Sequence, residues 1–345
     1  MTGPILTVEG LKAYYQICQF GQHLEVRAVD DISLQIERGE VYGIAGESSS
    51  GKTSLIKVLA AATRPPLRVV GGSARYDFGG KGIDPTTASE AEIRAIRWRH
   101  LSYIMQGSMS VLNPVRRIER TFRDFAQRPL GLSGAAYRDR IEEHLDHLRL
   151  PKSVLRAYPH ELSGGMRQRV TIGLATVCRP DFMIADEPTT ALDVVVQKDV
   201  LSLLRTVQQD MGASIIFVTH DMSVHANMAD RIGIIYAGRL VEEGPTRTLF
   251  TRSRHPYTAH LVASLPVIGD TRPRPALEGR PPSLANPPRG CRFHPRCPLA
   301  IERCAREVPP LEAVGQRHRS ACWRAEDVRP LLIPGETGQT AMVQA

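Results

Sequence analysis

The chain has 345 residues, 42% hydrophobic and 23% charged, with 44 Lys and Arg against 36 Asp and Glu, a formal charge of +8 and a pI near 9.4. These values are ordinary for a soluble globular protein and allow one large domain with an extension. No run approaches the roughly 18 apolar residues of a membrane span, and Met1-Thr2-Gly3-Pro4 lacks the features of a secretion signal, so the expectation is a chain kept in the cytoplasm. The basic balance suits nucleic acid, an anionic membrane surface or simply a solvated face. Residues 267–330 carry 12 Arg against 7 Asp and Glu, placing five of the eight excess charges in the C-terminal fifth.

In chain order, residues 5–8 and 28–36 alternate apolar and polar side chains, which predicts a small antiparallel sheet. Tyr14 and Tyr15 fall on the expected turn after its first strand, where a ring can stack on an adenine face or simply pack. Residues 41–45 read as a buried strand and residues 54–62 as a helix. Between them stands Gly46-Glu47-Ser48-Ser49-Ser50-Gly51-Lys52-Thr53, the pattern G-x-x-x-x-G-K-[ST]. Such a loop wraps backbone N–H groups around phosphate oxygens at a helix N-terminus. Lys52 adds a point charge on the β- and γ-phosphates, and the Thr53 hydroxyl suits Mg²⁺. Ser49 stands where another glycine is frequent in such loops.

Residues 71–84 read as strand and loop, residues 89–99 as a helix, and residues 101–106 as a strand ending in Gln106. An amide there can reach a metal or an attacking water, or be an ordinary surface group. Residues 116–149 look helical, broken at Pro129 and at the loop 131–134. Ser163-Gly164-Gly165 opens the next helix and repeats the logic of an anion-binding helix terminus, although a plain helix cap has the same composition. Residues 181–186 form an apolar strand ending in Asp186 and Glu187, placed for one carboxylate to hold hydrated Mg²⁺ and the next to take a proton from water. A further helix starts near Val194, a buried strand at 214–219 ends in His220, and a hairpin turns at Ala237-Gly238. Strands alternating with helices predict a mostly parallel α/β sheet with its ligand at the carboxyl ends of the strands.

Together these residues resemble the ATP-binding subunits of ABC transporters over residues 6–250. The resemblance implies a P-loop NTPase (RecA-like) core with an antiparallel β subdomain and an α-helical signature subdomain at about 90–175, followed by an irregular cysteine-rich extension at 251–330 and a flexible tail at 331–345. It makes the loop Gly46, Glu47, Ser48, Ser49, Ser50, Gly51, Lys52 and Thr53, with Ser54, the Walker A contact to ATP. Gln106 becomes the Q-loop residue, Ser163, Gly164 and Gly165 the signature motif, and Asp186 the Walker B carboxylate on Mg²⁺. Glu187 is then the catalytic base, Ala191-Leu192-Asp193 the D-loop and His220 the switch histidine. Tyr15 is the adenine-stacking residue, with Tyr14 as its alternative. Thr53 and Gln106 join Asp186 as Mg²⁺ ligands. Two such subunits pack head to tail, the signature motif of one meeting the γ-phosphate held by the other. Lys52 offsets charge while Glu187 polarises the attacking water.

Leu162-Ser163-Gly164-Gly165-Met166-Arg167-Gln168-Arg169 and His255-Pro256-Tyr257-Thr258 are similar to the D-type ATPase of oligopeptide and dipeptide importers. The implied partners are a paralogous F-type ATPase subunit in a heterodimer, two transmembrane permease subunits and an extracytoplasmic peptide-binding protein, with no nucleic acid. The implied location is the cytoplasmic face of a bacterial membrane. The loop after Gln106 and the helices of residues 116–149 are expected to grip a permease. Nickel, a sugar or another solute is an alternative cargo, and an ABC-type ATPase acting on nucleic acid is an alternative of another class.

Nine prolines between Pro266 and Pro298 predict a stiff connector. Cys291, Cys297, Cys304 and Cys322 follow, with five, six and seventeen residues between them. Four thiolates so close can hold an iron-sulfur cluster or a zinc ion, or stay unligated or as disulfides. The spacing lacks paired C-x₂-C knuckles, and the related importers carry a [4Fe-4S] cluster here; zinc is the alternative. His294 and His318 are spare ligands. Cys18 and Cys178 read as core thiols.

Overall fold

In the computed structural model the described residues are 3–332, apart from 20, 81, 106, 108–110, 191 and 266–276. Continuous apolar runs set the main sheet. Strands β3 (Val41–Ala45), β7 (Phe182–Asp186) and β8 (Ser214–Val218) are buried at every position, as parallel strands covered on both faces must be. They pair in parallel, with β9 (Arg231–Tyr236) on one flank and β6 (Leu101–Ile104) on the other. Strand β10 (Arg239–Pro245) turns back antiparallel on β9.

The second sheet is antiparallel and holds β1 (Pro4–Gln19), β2 (Gln22–Glu37), β4 (Leu67–Asp77) and β5 (Gly82–Ile83) in the order β2-β1-β4-β5. Its first two strands are 16 residues each, longer than the alternating runs predict. Cross-strand pairing carries the polar stretch, so Tyr14 and Tyr15 lie inside β1 and not on a turn, with Tyr15 opposite Val26 on one side and Leu67 on the other. Helix α1 (Lys52–Leu59) bridges to this sheet, where the buried Tyr76 hydroxyl donates to the Leu59 carbonyl.

Helix α2 (Glu90–Ile96) begins with a capping box between Ser89 and Glu92. Helices α3 (Ile118–Leu130), α4 (Gly134–His147) and α5 (Gly164–Thr176) share one apolar cluster that includes Phe122, Ile141, Leu145 and Val170. Pro129 sits in the last turn of α3, which runs through it and stops at Gly131. Helix α6 (Val194–Met211) is capped by Asp193, which accepts from the Val196 N–H at 2.9 Å. Helices α7 (Met222–Met228), α8 (Thr246–Arg252) and α9 (Pro256–Ala263) follow. No helix among the described residues is long and apolar enough to cross a membrane.

The expectation of an irregular extension is corrected in part. After the prolines come helix α10 (Glu302–Arg306) and a hairpin, β11 (Glu312–Gly315) and β12 (His318–Ser320). Strand β12 pairs with β10, so the main sheet has eight strands in the order β11-β12-β10-β9-β3-β8-β7-β6. The hairpin forms because its residues lie beyond the last proline of the run and keep their N–H donors.

Candidate active site

The loop between β3 and α1 is held in a shape that only glycine permits at both ends. A Cβ on Gly46 (φ 148°) would lie 2.1 Å from the Ile235 carbonyl oxygen, and one on Gly51 (φ 106°) 1.9 Å from that of Ala28. Ser49 also has a left-handed backbone, φ 62°, at a cost of about 1 kcal/mol relative to glycine. The loop is pinned from below, since Gly238 N–H donates to the Ser50 carbonyl at 2.7 Å. Glu47 N–H donates to the Tyr257 hydroxyl at 2.7 Å. Lys52 Nζ donates to the carbonyls of Gly46 and Glu47, both at 2.7 Å. Burial holds its pKa below the ordinary value, against the pull of Glu187, Asp186 and Glu47.

Asp186 ends β7 fully buried, and neither carboxylate oxygen makes a hydrogen bond of ordinary geometry among the described residues. Burial first, then the neighbouring Glu187, pushes its pKa up to about 6, while Lys57, Lys52 and the facing Thr53 hydroxyl offset part of the rise. A buried carboxylate faced by the hydroxyls of Thr53 and Tyr103, neither closing a hydrogen bond of ordinary geometry, fits a hard divalent cation with oxygen ligands. Asp186 and Thr53 therefore suit Mg²⁺.

Glu187 is held in a left-handed conformation, φ 48°, by its N–H bond to the Val218 carbonyl at 2.9 Å. That bond joins the ends of β7 and β8, which brings His220 beside it, Nδ1 to Oε1 3.5 Å. Thr190 Oγ1 donates to the other oxygen, Oε2, at 2.8 Å. The His220 side chain is 70% exposed, which leaves its ring accessible beside Glu187.

Tyr15 lines a cavity of about 260 Å³ with Ala28, residues 49–54 and Leu284, and its hydroxyl is 3.1 Å from Ser54 Oγ. Tyr14 is turned to Asp30, donating at 2.5 Å, and burial together with that carboxylate raises its pKa to about 12. The geometry thus brings residues 46–54, Asp186, Glu187, His220 and Tyr15 to one end of the sheet. Ser163, Gly164 and Gly165 stand elsewhere. Ser163 caps α5 through the Met166 N–H, and Gly165 meets Val196 of α6. No hydrogen bond among the described residues links them to the phosphate loop. Gln106 and Ala191 lie outside the described residues, as do 266–276 and 333–345.

Cys291, Cys297, Cys304 and Cys322 are unpaired and line one cavity of about 10 Å³ together with His255 and His294. Burial raises the thiol pKa of Cys291, brings Cys297 to about 11 and Cys322 to about 12. Among the described residues no group of three or more His, Cys, Asp or Glu is arranged to hold a metal ion, so the tetrahedral arrangement that zinc needs is not formed. His318 is committed to Glu242, 2.7 Å away, and is not a spare ligand. Cys18, expected in the core, is exposed because β1 runs on past its sheet partner β4, and Cys178 is only half-buried.

Three further residues shape this site without belonging to the ATP-contact set expected from sequence. Gln168 donates to the Pro188 carbonyl and ties α5 to the turn after Glu187. Thr190 was legible only as part of a turn. Arg296, 249 residues from Glu47, carried no local signal at all.

A phosphate loop facing a carboxylate pair at the strand ends defines a P-loop ATPase. Residues 29–190 match the ABC transporter family and residues 241–304 the oligopeptide/dipeptide transporter C-terminal region, and the chain belongs to the ABC transporter family, in its oligopeptide/dipeptide group. It is 39% identical over 340 residues to a protein of Brucella abortus (strain 2308) named for peptide import ATP binding, covering 94% of this chain and 98% of that one. It is 38% identical over 330 residues to Dipeptide transport ATP-binding protein DppD of Caldanaerobacter subterraneus subsp. tengcongensis, covering 95% and 99%. Its fold is similar to that of an ATP-binding cassette solved as a dimer in a post-hydrolysis state with ADP and Pi, TM-score 0.59 at 24% identity, covering 70% of this chain and 99% of that one.

Proposed function

We propose that this chain is the ATP-hydrolysing subunit that powers peptide import across the cytoplasmic membrane. The observation that carries the reading is the buried, unbonded Asp186 carboxylate beside Thr53, with Glu187 and His220 at the neighbouring strand ends. Glu187, oriented by Thr190, polarises the water that attacks the γ-phosphorus of ATP. Lys52 offsets charge on the β- and γ-phosphates, and His220 steadies the γ-phosphate. Mg²⁺ held by Thr53 and Asp186, with Gln106, supplies further charge neutralisation. Tyr15 stacks on the adenine. Ser163, Gly164 and Gly165 serve the site of a partner, a paralogous F-type subunit bound head to tail.

The working division is 1–250 for the nucleotide-binding domain, 251–330 for the extension and 331–345 for a tail. Two permease subunits and an extracytoplasmic peptide-binding protein complete the importer, which seats the chain peripherally on the cytoplasmic face. The test is phosphate release by the assembled importer in the presence of peptide, with uptake measured in cells carrying Lys52→Ala. Peptide uptake undiminished by that substitution would end the reading.

The four extension thiols fit a [4Fe-4S] cluster in donor type and number, since all are free and share one cavity. Such a cluster would staple a segment poor in apolar residues. Purification without oxygen should give a brown protein with equal iron and sulfide, and Cys297→Ser should be colourless. Stoichiometric zinc in a colourless parental protein would replace the cluster.

A further inference from the structure

The Walker-type loop contains an acidic residue, Glu47, in a place that must receive a triphosphate. Its carboxylate is met by a single group from the extension. Arg296 donates from Nη1 to Oε2 at 2.8 Å and from Nη2 to Oε1 at 3.1 Å, a two-pronged pair. Two further donors of the fork are engaged, Nε on the Glu278 carbonyl at 3.1 Å and Nη1 on the Tyr236 hydroxyl at 3.2 Å. The side chain is only 6% exposed, so its orientation is fixed before any ligand arrives.

Two neighbouring contacts act on the same loop. Arg292 donates to the Ala237 carbonyl and pairs with Asp30, and the next residue, Gly238, holds the Ser50 carbonyl. The Leu284 carbonyl accepts from Arg27 N–H at 2.9 Å, which sets Leu284 in the cavity wall with Tyr15. The extension thus touches the loop's acidic side chain, its support and its pocket.

We infer that Arg296 is a positioning residue for the ATP reaction, neutralising Glu47 and holding the phosphate loop open to the triphosphate. The inference rests on the reading of residues 46–53 as the ATP loop. An unpaired carboxylate there repels a polyanion at short range, where screening by salt is weak.

The test is the Kd of Mg-ATP for the full-length chain by titration. Arg296→Gln should weaken binding about tenfold, the size of a typical coupling between sites. Adding Glu47→Gln to it should restore most of the affinity, because the repelling charge goes with its partner; a merely structural arginine gives no such rescue. Binding by Arg296→Gln within twofold of parental, or a double variant as weak as the single, overturns the inference. Should Arg296→Gln not fold, the loop side decides: Glu47→Asp keeps the charge but is too short for the fork and should bind about tenfold more weakly, while Glu47→Gln binds more tightly. Equal affinities of those two overturn the inference. A parental chain that does not bind Mg-ATP refutes the ATP-loop reading instead.

Discussion

Thr190 donates a 2.8 Å hydrogen bond from Oγ1 to Glu187 Oε2, leaving Oε1 toward His220 at 3.5 Å. The carboxylate is thus fixed on one side by a residue three positions on and left with one oxygen toward the site. The left-handed backbone at Glu187 turns it out of the strand, so the neighbouring Asp186 and Glu187 face different tasks.

Glu187→Gln should bind ATP and lower turnover at least about a hundredfold, the range of a lost general base. Phosphate release under single-turnover conditions checks this. Thr190→Ala should lower kcat about tenfold with KM for ATP nearly unchanged, since it orients the base without touching nucleotide. An equal rise in KM would show that Thr190 acts on binding.

Mg²⁺ binding should fail in mild acid. The folded pKa of Asp186 is raised to about 6, so the carboxylate is ionised above that pH and takes a proton as pH falls through it. The fold therefore carries an ionised, unbonded Asp186 at a cost above pH 6, which a cation relieves. Thermal stabilisation by Mg-ATP should be present at pH 7.5 and largely lost at pH 5. Asp186→Asn should show none at either pH.

Acid should also weaken the fold through three buried histidines. Burial lowers His144 and His225 to about 4 and His255 to about 3. The unfolded chain takes up their protons near pH 6.5 and the folded chain does not, so stability falls as pH drops below about 6.5, levelling off near pH 4 for His144 and His225 and near pH 3 for His255. Each contributes a slope of at most about 1.4 kcal/mol per pH unit. Asp186 opposes them between pH 6 and 4 with the contrary sign. Urea unfolding at pH 7 and pH 5 measures the difference.

Gly51→Ala should abolish nucleotide binding, because its Cβ meets the Ala28 carbonyl at 1.9 Å and the backbone there is left-handed. Loss of binding with the helical circular dichroism signal kept would place the damage in the loop. Retained binding would show that β2 can yield at Ala28.

The parallel core and the nucleotide end of its sheet were legible in the sequence because both depend on short segments: an apolar run, then Gly46 to Thr53, or Asp186 and Glu187. What was not legible depends on partners far away in the chain. Tyr14 and Tyr15 look alike until β2 supplies Asp30 for one and α1 supplies Ser54 for the other. The extension looked irregular because prolines dominate its start, while β12 is three residues long and pairs with β10 at only two of them, Arg319 and Ser320. Arg296 is one basic residue among twelve in its region, and only folding brings it to Glu47.

The union of β12 with β10 makes the last quarter or so of the chain hard to remove. Cutting at residue 250 would uncover the rim of an eight-stranded sheet and leave Glu242 and Glu243, both buried, without the imidazole of His318 and the guanidinium of Arg319. A shortened protein should then clump through its bared strand rather than persist as an independent enzyme.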